Sequence, residues 1–249
     1  PGRGRGAGAG LSPFRHASCR AQLSPYCGVS IARPKARLEV TRMPAFLRLL
    51  TVLAVLAAIM PGRASFAETP ESVARTVIEN FYTTLLATMK QGEQLGFRGR
   101  YEALEPAILK AYDMERMSLR VLGPSVARMT RQDVDRMKAA FTRLNVTTYA
   151  SRFKKYGGEK FVVGNAQAVA NIGVLVESQI VTSKGEAVAI NYLLTQESGD
   201  WRINDVYLKG TISEVATRRS EYAGVLRQSG IDGLIASIGE RIAAIEAEQ

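Results

Sequence analysis

The chain has 249 residues and a formal net charge of +10. Residues 1–42 contain seven arginines and Lys35 against one acid, Glu39, so most of the positive charge lies at the start of the chain. From Glu68 onward the net charge is only +1, which disfavours nucleic-acid binding because that function needs a basic excess on one face.

A secretory signal peptide is predicted over residues 43–67. It has a start methionine, one arginine, the apolar run Leu49–Met60, and small residues at Ser65 and Ala67 that suit a cleavage site. The run is shorter than the roughly 20 apolar residues of a membrane span. We therefore expect cleavage near Ala67, a protein that works outside the cytoplasm, and a non-native or disordered extension at residues 1–42.

The residue types that most often carry catalysis or metal binding lie before the expected cleavage point. His16, Cys19 and Cys27 are the only histidine and cysteines of the sequence. From Glu68 onward there is therefore no Ser-His-Asp set, no Cys-His pair and no zinc site of the usual kind. Residues 68–249 are long enough for one hydrophobic core, so we expect a single domain without disulfides.

The first predicted helix begins at Thr69-Pro70, where Thr69 is the N-cap and Pro70 the first helical residue. Apolar residues then recur at every fourth position, which predicts burial along a broad stripe. They are Val73, Val77, Phe81, Leu85 and Met89. Gly92, Gly96 and Gly99 predict a loop after this helix.

Further short helices are predicted at Arg100–Leu104, from Pro106, and at Met114–Leu122. A capping-box pattern at Thr130 predicts a long helix that runs to about Phe153. Together these segments make the first half of the expected domain helical.

The pattern then changes from helical to alternating, and turn residues divide it into four predicted strands. They are residues 160–169, 173–182, 187–197 and 201–209. The short connections require an antiparallel meander. A capping box at Thr211–Glu214 predicts a return to helix, and Ser229-Gly230 should separate two C-terminal helices. The fold class is therefore α+β: a curved four-stranded antiparallel meander with N-terminal and C-terminal helices packed on one face.

Few residues of this domain are candidates for chemistry. Alternation places Asp205 on the apolar face of the last strand, beside Trp201, Ile203 and Tyr207. Asp205 is either a general base with a raised pKa or a structural carboxylate paired with an arginine, for which Arg219 is the candidate. Arg218 and Arg219 offer planar donors to a phosphate headgroup, or one of them is a structural ion-pair partner.

Methionines are concentrated in the helical half of the domain. Methionine adapts to variable apolar ligands and is also an ordinary core filler, so composition alone leaves both interpretations open. The residues concerned are Met89, Met114, Met117, Met129 and Met137.

The order and spacing of several short motifs across residues 73–234 resemble the MlaC-like family of periplasmic lipid carriers from the Mla and toluene-tolerance systems. The closest resemblance is to the branch associated with hopanoid biosynthesis. The motifs are Arg100-Tyr101 with Pro106, Val121-Leu122-Gly123, Phe141–Tyr149, Tyr156-Gly157-Gly158-Glu159, Trp201–Val206, Gly210–Ser213 and Arg219–Tyr222. The chain departs from the family at Val126, where an aromatic residue is common.

The resemblance implies an apolar cavity between helices and sheet that takes the acyl chains of a phospholipid or a hopanoid-like lipid. It implies a periplasmic monomer without cofactor that exchanges lipid with an inner-membrane ABC complex and an outer-membrane acceptor. The expected cavity residues are Phe81, Leu85, Met117, Phe141, Val176, Ile190, Tyr192, Leu194, Trp201 and Ile203. Two alternatives stay open: a small enzyme acting on an apolar substrate with Asp205 as base, and an envelope protein that binds no lipid.

Overall fold

The computed structural model describes residues 68–249, so the predicted signal peptide (43–67) and the extension (1–42) lie outside the described residues. The helices are α1 (Pro70–Lys90), α2 (Gly92–Ala111), α3 (Met114–Leu122), a 3₁₀ helix (Gly123–Arg128), α4 (Arg131–Arg152) and α5 (Glu214–Ala247). The strands are β1 (Lys160–Val169), β2 (Gly173–Val181), β3 (Ala187–Glu197), β4 (Asp200–Leu208) and β5 (Ile212–Ser213).

The strands form an antiparallel meander in the order β1-β2-β3-β4-β5. This confirms the α+β class, and the four predicted strands agree with the structure to within a residue at each end. The number of strands is corrected from four to five. Ile212 and Ser213, which the sequence assigned to a helix cap, first pair with Leu208 and Tyr207 of β4.

A bulge in β4 changes which side chains face the helices. Leu193 pairs with Asp205 and Leu194 with Ile203, so Asn204 is an extra residue on β4. One inserted residue reverses the alternation of a strand. Val206 therefore shares the inner face with Ile203, and Asp205 lies on the other face. The prediction that Asp205 belongs to the apolar face is wrong for this reason.

The glycine-rich segment after α1 is not the predicted loop but two helical pieces joined by a kink at Gly96. Gly92 begins α2, and only Gly96 leaves helical geometry, with φ 62° and ψ −177°. Pro106 lies inside α2 and does not begin a new helix. A proline removes one helical hydrogen bond, and burial of Leu104 and Ile108 on either side holds the helix together.

The N-terminal caps of two helices are formed by the side chains that the sequence indicates, and the cap of a third differs. Thr69 caps α1, and Thr130 forms a reciprocal capping box with Asp133 at the start of α4. The cap of α5 is corrected from Thr211 to Ser213, whose Oγ accepts a hydrogen bond from the backbone N–H of Ala216. The predicted break between two C-terminal helices is confirmed at Gly230, where φ is 66°.

The core lies between the helices and the inner face of the sheet. The most buried side chains from the sheet are those of Val174, Val176, Tyr192, Leu194 and Ile203, and the helices cover them with Ile78, Leu85, Leu104, Ile108 and Met137. On the other face of β2, Glu177 and Gln179 are exposed. The inner face is thus covered, whereas the other face is open to solvent at β2 and is buried at Leu193 and Asp205 of β3 and β4.

Candidate functional site

A cavity lies between strands β2–β4 and the helices α1, α3 and α4, with the start of α5 at one side. Its volume is about 120 Å³, and its wall is mainly apolar. The lining residues are Tyr82, Leu85, Tyr112, Met117, Phe141, Asn145, Thr148, Tyr149, Arg152, Phe153, Ile180, Ile190, Tyr192, Val206, Leu208, Glu214, Val215 and Arg218. We call this the first cavity. Its wall combines a helical side and a sheet side, as the sequence predicts for a ligand cavity.

The ten residues predicted to line one cavity are distributed over three places. Leu85, Met117, Phe141, Ile190 and Tyr192 line the first cavity. Phe81 and Trp201 line a second cavity of about 330 Å³, between α1, α2 and the β3–β4 turn. Val176, Leu194 and Ile203 line neither of these cavities, because they are fully buried in the core.

Aromatic packing around Phe81 separates the two cavities. The ring of Phe81 lies edge-on to the rings of Tyr112 and Tyr149, at centroid distances of 5.5 Å and 5.4 Å. Tyr112 and Tyr149 line the first cavity, whereas Phe81 lines the second. Two aromatic side chains in contact therefore separate the cavities at this point.

Four tyrosine hydroxyls are arranged around the first cavity; we call Tyr82, Tyr112, Tyr149 and Tyr192 the tyrosine cluster. The hydroxyl of Tyr82 lies 2.6 Å from Oγ of Ser178 and donates to the hydroxyl of Tyr192 at 3.1 Å. The hydroxyls of Tyr112 and Tyr149 are hydrogen-bonded to each other. The cluster adds polar atoms to a wall that is mainly apolar.

Burial keeps these hydroxyls protonated. Desolvation raises the pKa of Tyr149 to about 12 and raises the pKa values of Tyr112 and Tyr192 well above the usual value of 10. The pKa of Tyr82 is also raised, chiefly by burial. The four groups are therefore neutral hydrogen-bonding hydroxyls at physiological pH.

Charged side chains also border the first cavity. Arg152 is exposed, Arg218 is partly exposed, and Glu214 lies with them in the cavity wall. Arg218 makes one weak ion pair, with its Nη1 3.9 Å from Oε2 of Glu221. These two guanidinium groups offer donors at the rim, beside one carboxylate. The other arginine of the sequence pair, Arg219, is exposed, and its stem lies against Gly123.

Asp205 is a structural carboxylate with four hydrogen-bond donors. Its Oδ1 accepts from the backbone N–H groups of Val206 (2.9 Å) and Val215 (3.2 Å). Its Oδ2 accepts from Oγ of Ser213 at 2.7 Å and from Nη2 of Arg120 at 3.4 Å. The prediction of an arginine partner is confirmed, but the partner is Arg120 and not Arg219. Asp205 does not line the first cavity, because the bulge at Asn204 directs it to the other face.

The sequence indicated the cluster tyrosines only in part. Tyr192 is one of the ten predicted cavity residues, and Tyr149 lies in the long helix predicted to run to about Phe153. Their spacing of 30 or more residues gives no sign that the hydroxyls meet. Within residues 68–249 no helix is long and apolar enough to cross a membrane, and the same residues hold no acidic, histidine or cysteine group suited to a metal ion.

The fold and the cavities define a cavity-containing α+β protein, in which helices cover one face of an antiparallel meander. Residues 79–240 match the MlaC protein family, and the chain belongs to that family. The match spans more than half of the sequence and includes α4, the sheet and most of the first cavity.

Two proteins of known description are similar to this chain. The toluene tolerance protein ttg2D of Pseudomonas putida is 22% identical over 184 residues, which is 72% of this chain and 83% of that protein. A phospholipid-binding protein from Ralstonia solanacearum, solved in complex with a phospholipid, superposes with a TM-score of 0.62. It is 21% identical, and the alignment covers 70% of this chain and 98% of that chain, which shows a shared fold.

Proposed function

We propose that this protein is a lipid carrier that holds acyl chains of a phospholipid, or a hopanoid-like lipid, in the first cavity. The observation that carries the proposal is an apolar cavity between helices and sheet in an MlaC-family chain. The Ralstonia relative of the same fold was solved with a phospholipid. Burying a chain of about 15 carbons at about 0.8 kcal/mol per CH₂ yields about 12 kcal/mol relative to water, which offsets the similar gain that the chain loses when it leaves a membrane.

The site is also suited to the polar end of such a lipid. Arg152 and Arg218 lie at the rim of the first cavity, where arginine can bind a phosphate through two parallel hydrogen bonds. Glu214 at the same rim can accept hydrogen bonds from an ammonium group, so a zwitterionic headgroup also fits the rim. We infer that the acyl chains enter first and that the headgroup stays at the rim.

The first cavity must enlarge to hold an acyl chain. Its 120 Å³ is comparable to an engineered cavity of about 150 Å³ that binds benzene. A chain of 15 carbons is several times larger than benzene. The helices therefore have to move away from the sheet, or the aromatic wall at Phe81 has to open into the second cavity of 330 Å³.

The location and the transport partners of the protein are inferred from its family and from the predicted signal peptide. We propose a periplasmic monomer, with residues 68–249 as one lipid-binding domain, that exchanges lipid with an inner-membrane ABC complex and an outer-membrane acceptor. No described residue favours the enzyme alternative, since the carboxylate of Asp205 is already bonded to four donors.

Processing of the N-terminus should agree with this location. We expect the protein isolated from its native host to begin within a residue or two of Glu68, because Ser65 and Ala67 suit a signal-peptidase site. N-terminal sequencing or intact mass measurement checks this. A mature protein that keeps residues 1–42 would contradict export by this signal.

Replacing Ile190 by tryptophan should sharply lower lipid occupancy. Ile190 lines the first cavity from β3, so a larger side chain fills the space for the acyl chain. Native mass spectrometry followed by lipid extraction measures the bound fraction. We expect wild-type protein to carry lipid, and Ile190→Trp to carry less than a tenth as much.

The matched control is Gln179→Trp, which adds the same side chain to the exposed face of the same sheet. This variant should keep its lipid. Equal occupancy in all three proteins would place the lipid outside the first cavity, and lipid-free wild-type protein would overturn the carrier proposal.

A further inference from the structure

The first cavity opens at one end of the sheet. Tyr192 in its interior is 2% exposed, whereas Ile180 and Leu208 in its wall are partly exposed. Ile180 lies just before the β2–β3 turn (182–186), and Leu208 lies just before the β4–β5 turn (209–211). An antiparallel meander places these two turns at the same end of the sheet. We call this end, where the cavity wall reaches the surface, the mouth end.

The connection from α4 to β1 also lies at the mouth end. A Cβ atom at Gly158 in this connection would be 3.2 Å from Cβ of Ser183 in the β2–β3 turn. Arg152 at the end of α4 and Phe153 after it both line the first cavity. The mouth is therefore bordered by two turns of the sheet, by the α4–β1 connection and by the start of α5, which supplies Glu214.

The mouth end carries an excess of positive charge. Residues 152–160, 182–186 and 209–214 contain six basic and three acidic residues. Five of the basic residues are exposed lysines, and among the described residues none of them takes part in an ion pair. They are Lys154, Lys155, Lys160, Lys184 and Lys209. At the opposite end of the sheet the β1–β2 turn has no charged residue, and two acids, Glu197 and Asp200, flank the β3–β4 turn.

Exposed apolar side chains continue the cavity wall outward at the mouth end. Val188 is 45% exposed and pairs with Ile180 of the wall. Ile212 is 48% exposed and pairs with Leu208. Tyr156 in the α4–β1 connection is 43% exposed. Exposed apolar side chains among lysines are typical of a surface that contacts a membrane.

We propose that the mouth end docks on a membrane surface that contains anionic lipids, with the five lysines at the headgroup phosphates and Val188, Ile212 and Tyr156 in the interface. This inference rests on the proposed carrier function, and it gives the carrier a direct contact with the lipid phase. Binding to such a surface grows with the buried apolar area and with the attraction between basic residues and anionic lipids. The mouth end supplies both.

The composition of the mouth end favours a lipid surface over a protein surface. Protein interfaces are enriched in arginine and depleted in lysine, whereas five of the six basic residues here are lysines. A lysine keeps its ammonium group in the hydrated headgroup layer while its flexible stem lies along apolar surface. Docking in this orientation also lets an acyl chain reach Ile180 and Leu208 from the membrane without crossing bulk water.

Flotation with lipid vesicles tests the inference. The protein purified from its host is mixed with vesicles of phosphatidylcholine alone, or of phosphatidylcholine with an equal amount of phosphatidylglycerol. At an ionic strength of about 0.1 M we expect binding to be about tenfold or more tighter to the vesicles with phosphatidylglycerol. The difference should largely disappear at about 1 M, because the Debye length falls from about 10 Å to about 3 Å.

The triple variant Lys154→Gln/Lys184→Gln/Lys209→Gln should weaken binding to the anionic vesicles about 100-fold, since one basic residue near such a surface contributes roughly fivefold. The three lysines come from the three connections that border the mouth. All three are exposed, so the variant should fold as wild-type protein does.

The matched control is Lys110→Gln/Arg128→Gln/Arg227→Gln, which removes the same charge from exposed sites away from the mouth end. Lys110 borders the second cavity beside the β3–β4 turn, and Arg128 precedes the start of α4. This variant should bind both kinds of vesicle as wild-type protein does.

The double variant Val188→Ser/Ile212→Ser tests the apolar part of the surface. It should weaken binding to the anionic vesicles about tenfold, because less apolar area enters the interface. Its control is Ile172→Ser, in the β1–β2 turn at the opposite end of the sheet, where the side chain is 55% exposed. The control should leave vesicle binding unchanged.

Equal binding to both kinds of vesicle would overturn the inference, and so would equal losses in the lysine variant and its control. Wild-type protein that carries lipid yet binds neither kind of vesicle would also overturn it and would assign the mouth end to a protein partner. These results leave the carrier function intact, because native mass spectrometry still finds bound lipid. Lipid-free wild-type protein would instead overturn the proposed function, and the inference with it.

Discussion

Replacing Asp205 by alanine should lower the free energy of unfolding by at least about 2 kcal/mol, because each of two buried backbone N–H groups left without its acceptor costs roughly 1–3 kcal/mol. The side chain is 1% exposed. It joins β4, the start of α5 and α3 through Val206, Val215, Ser213 and Arg120. Its loss leaves two buried backbone N–H groups without an acceptor. Urea unfolding of the purified protein measures the change.

Asp200→Ala is the matched control for this prediction. Asp200 lies on the same strand, is 73% exposed and makes a surface ion pair with Arg202 at 3.4 Å. We expect less than about 1 kcal/mol for this change. Double-mutant cycles then show which arginine interacts with Asp205. We expect a measurable interaction free energy between Asp205 and Arg120, and none between Asp205 and Arg219. Coupling to Arg219 in solution would contradict the structure.

Gly92→Ala should be destabilising by up to about 3 kcal/mol, at the upper end of typical overpacking costs. A Cβ at Gly92 would lie 2.2 Å from the carbonyl oxygen of Lys154, a backbone atom with little room to move. The carbonyl of Gly92 also accepts a hydrogen bond from Nη1 of the buried Arg100 at 2.8 Å. The substitution therefore disturbs the junction of α1, α2 and the end of α4.

The control is Gly224→Ala, inside α5, where an added Cβ meets nothing within 4 Å. Alanine is favoured over glycine in a helix by about 1 kcal/mol, so this variant should be slightly more stable than wild type. Thermal and urea unfolding of both variants checks the pair. Equal stability of the two variants would show that the chain at Lys154 moves away at no cost.

Local patterns predicted the strands well because turn residues bound each of them. The bulge at Asn204 has no such signal, and it moved Asp205 from the predicted cavity face to the other side of the sheet. The alternation of apolar and polar residues along one strand predicts which face each side chain takes only if the strand is regular. A bulge depends on the register between that strand and its neighbour, which the alternation does not contain. The partner of Asp205 was predicted incorrectly for the same reason, since Arg120 approaches from α3 on that other face.

The helical half shows a different limit of prediction from local sequence. Gly92, Gly96 and Gly99 have the composition of a loop, yet burial of Arg100 and Leu104 holds the segment in a helix. Tertiary contacts overrode local propensity there. The candidate site was predictable as apolar sheet residues facing apolar helix residues. Some of these residues border a cavity and others fill the core. The difference depends on packing distances in the folded protein, which the spacing of residues along the sequence does not contain.

The small volume of the first cavity sets how firmly the protein can retain its cargo. A gain of about 12 kcal/mol from one buried chain corresponds by itself to a dissociation constant near 1 nM. The work of separating helices from sheet is subtracted from that gain, and so is the entropy lost on association. A stiffer core would raise this work and shorten the residence time of the lipid. Substitutions in the packed layer beneath the cavity, such as at Leu194, therefore tune the rate of delivery without touching the lipid.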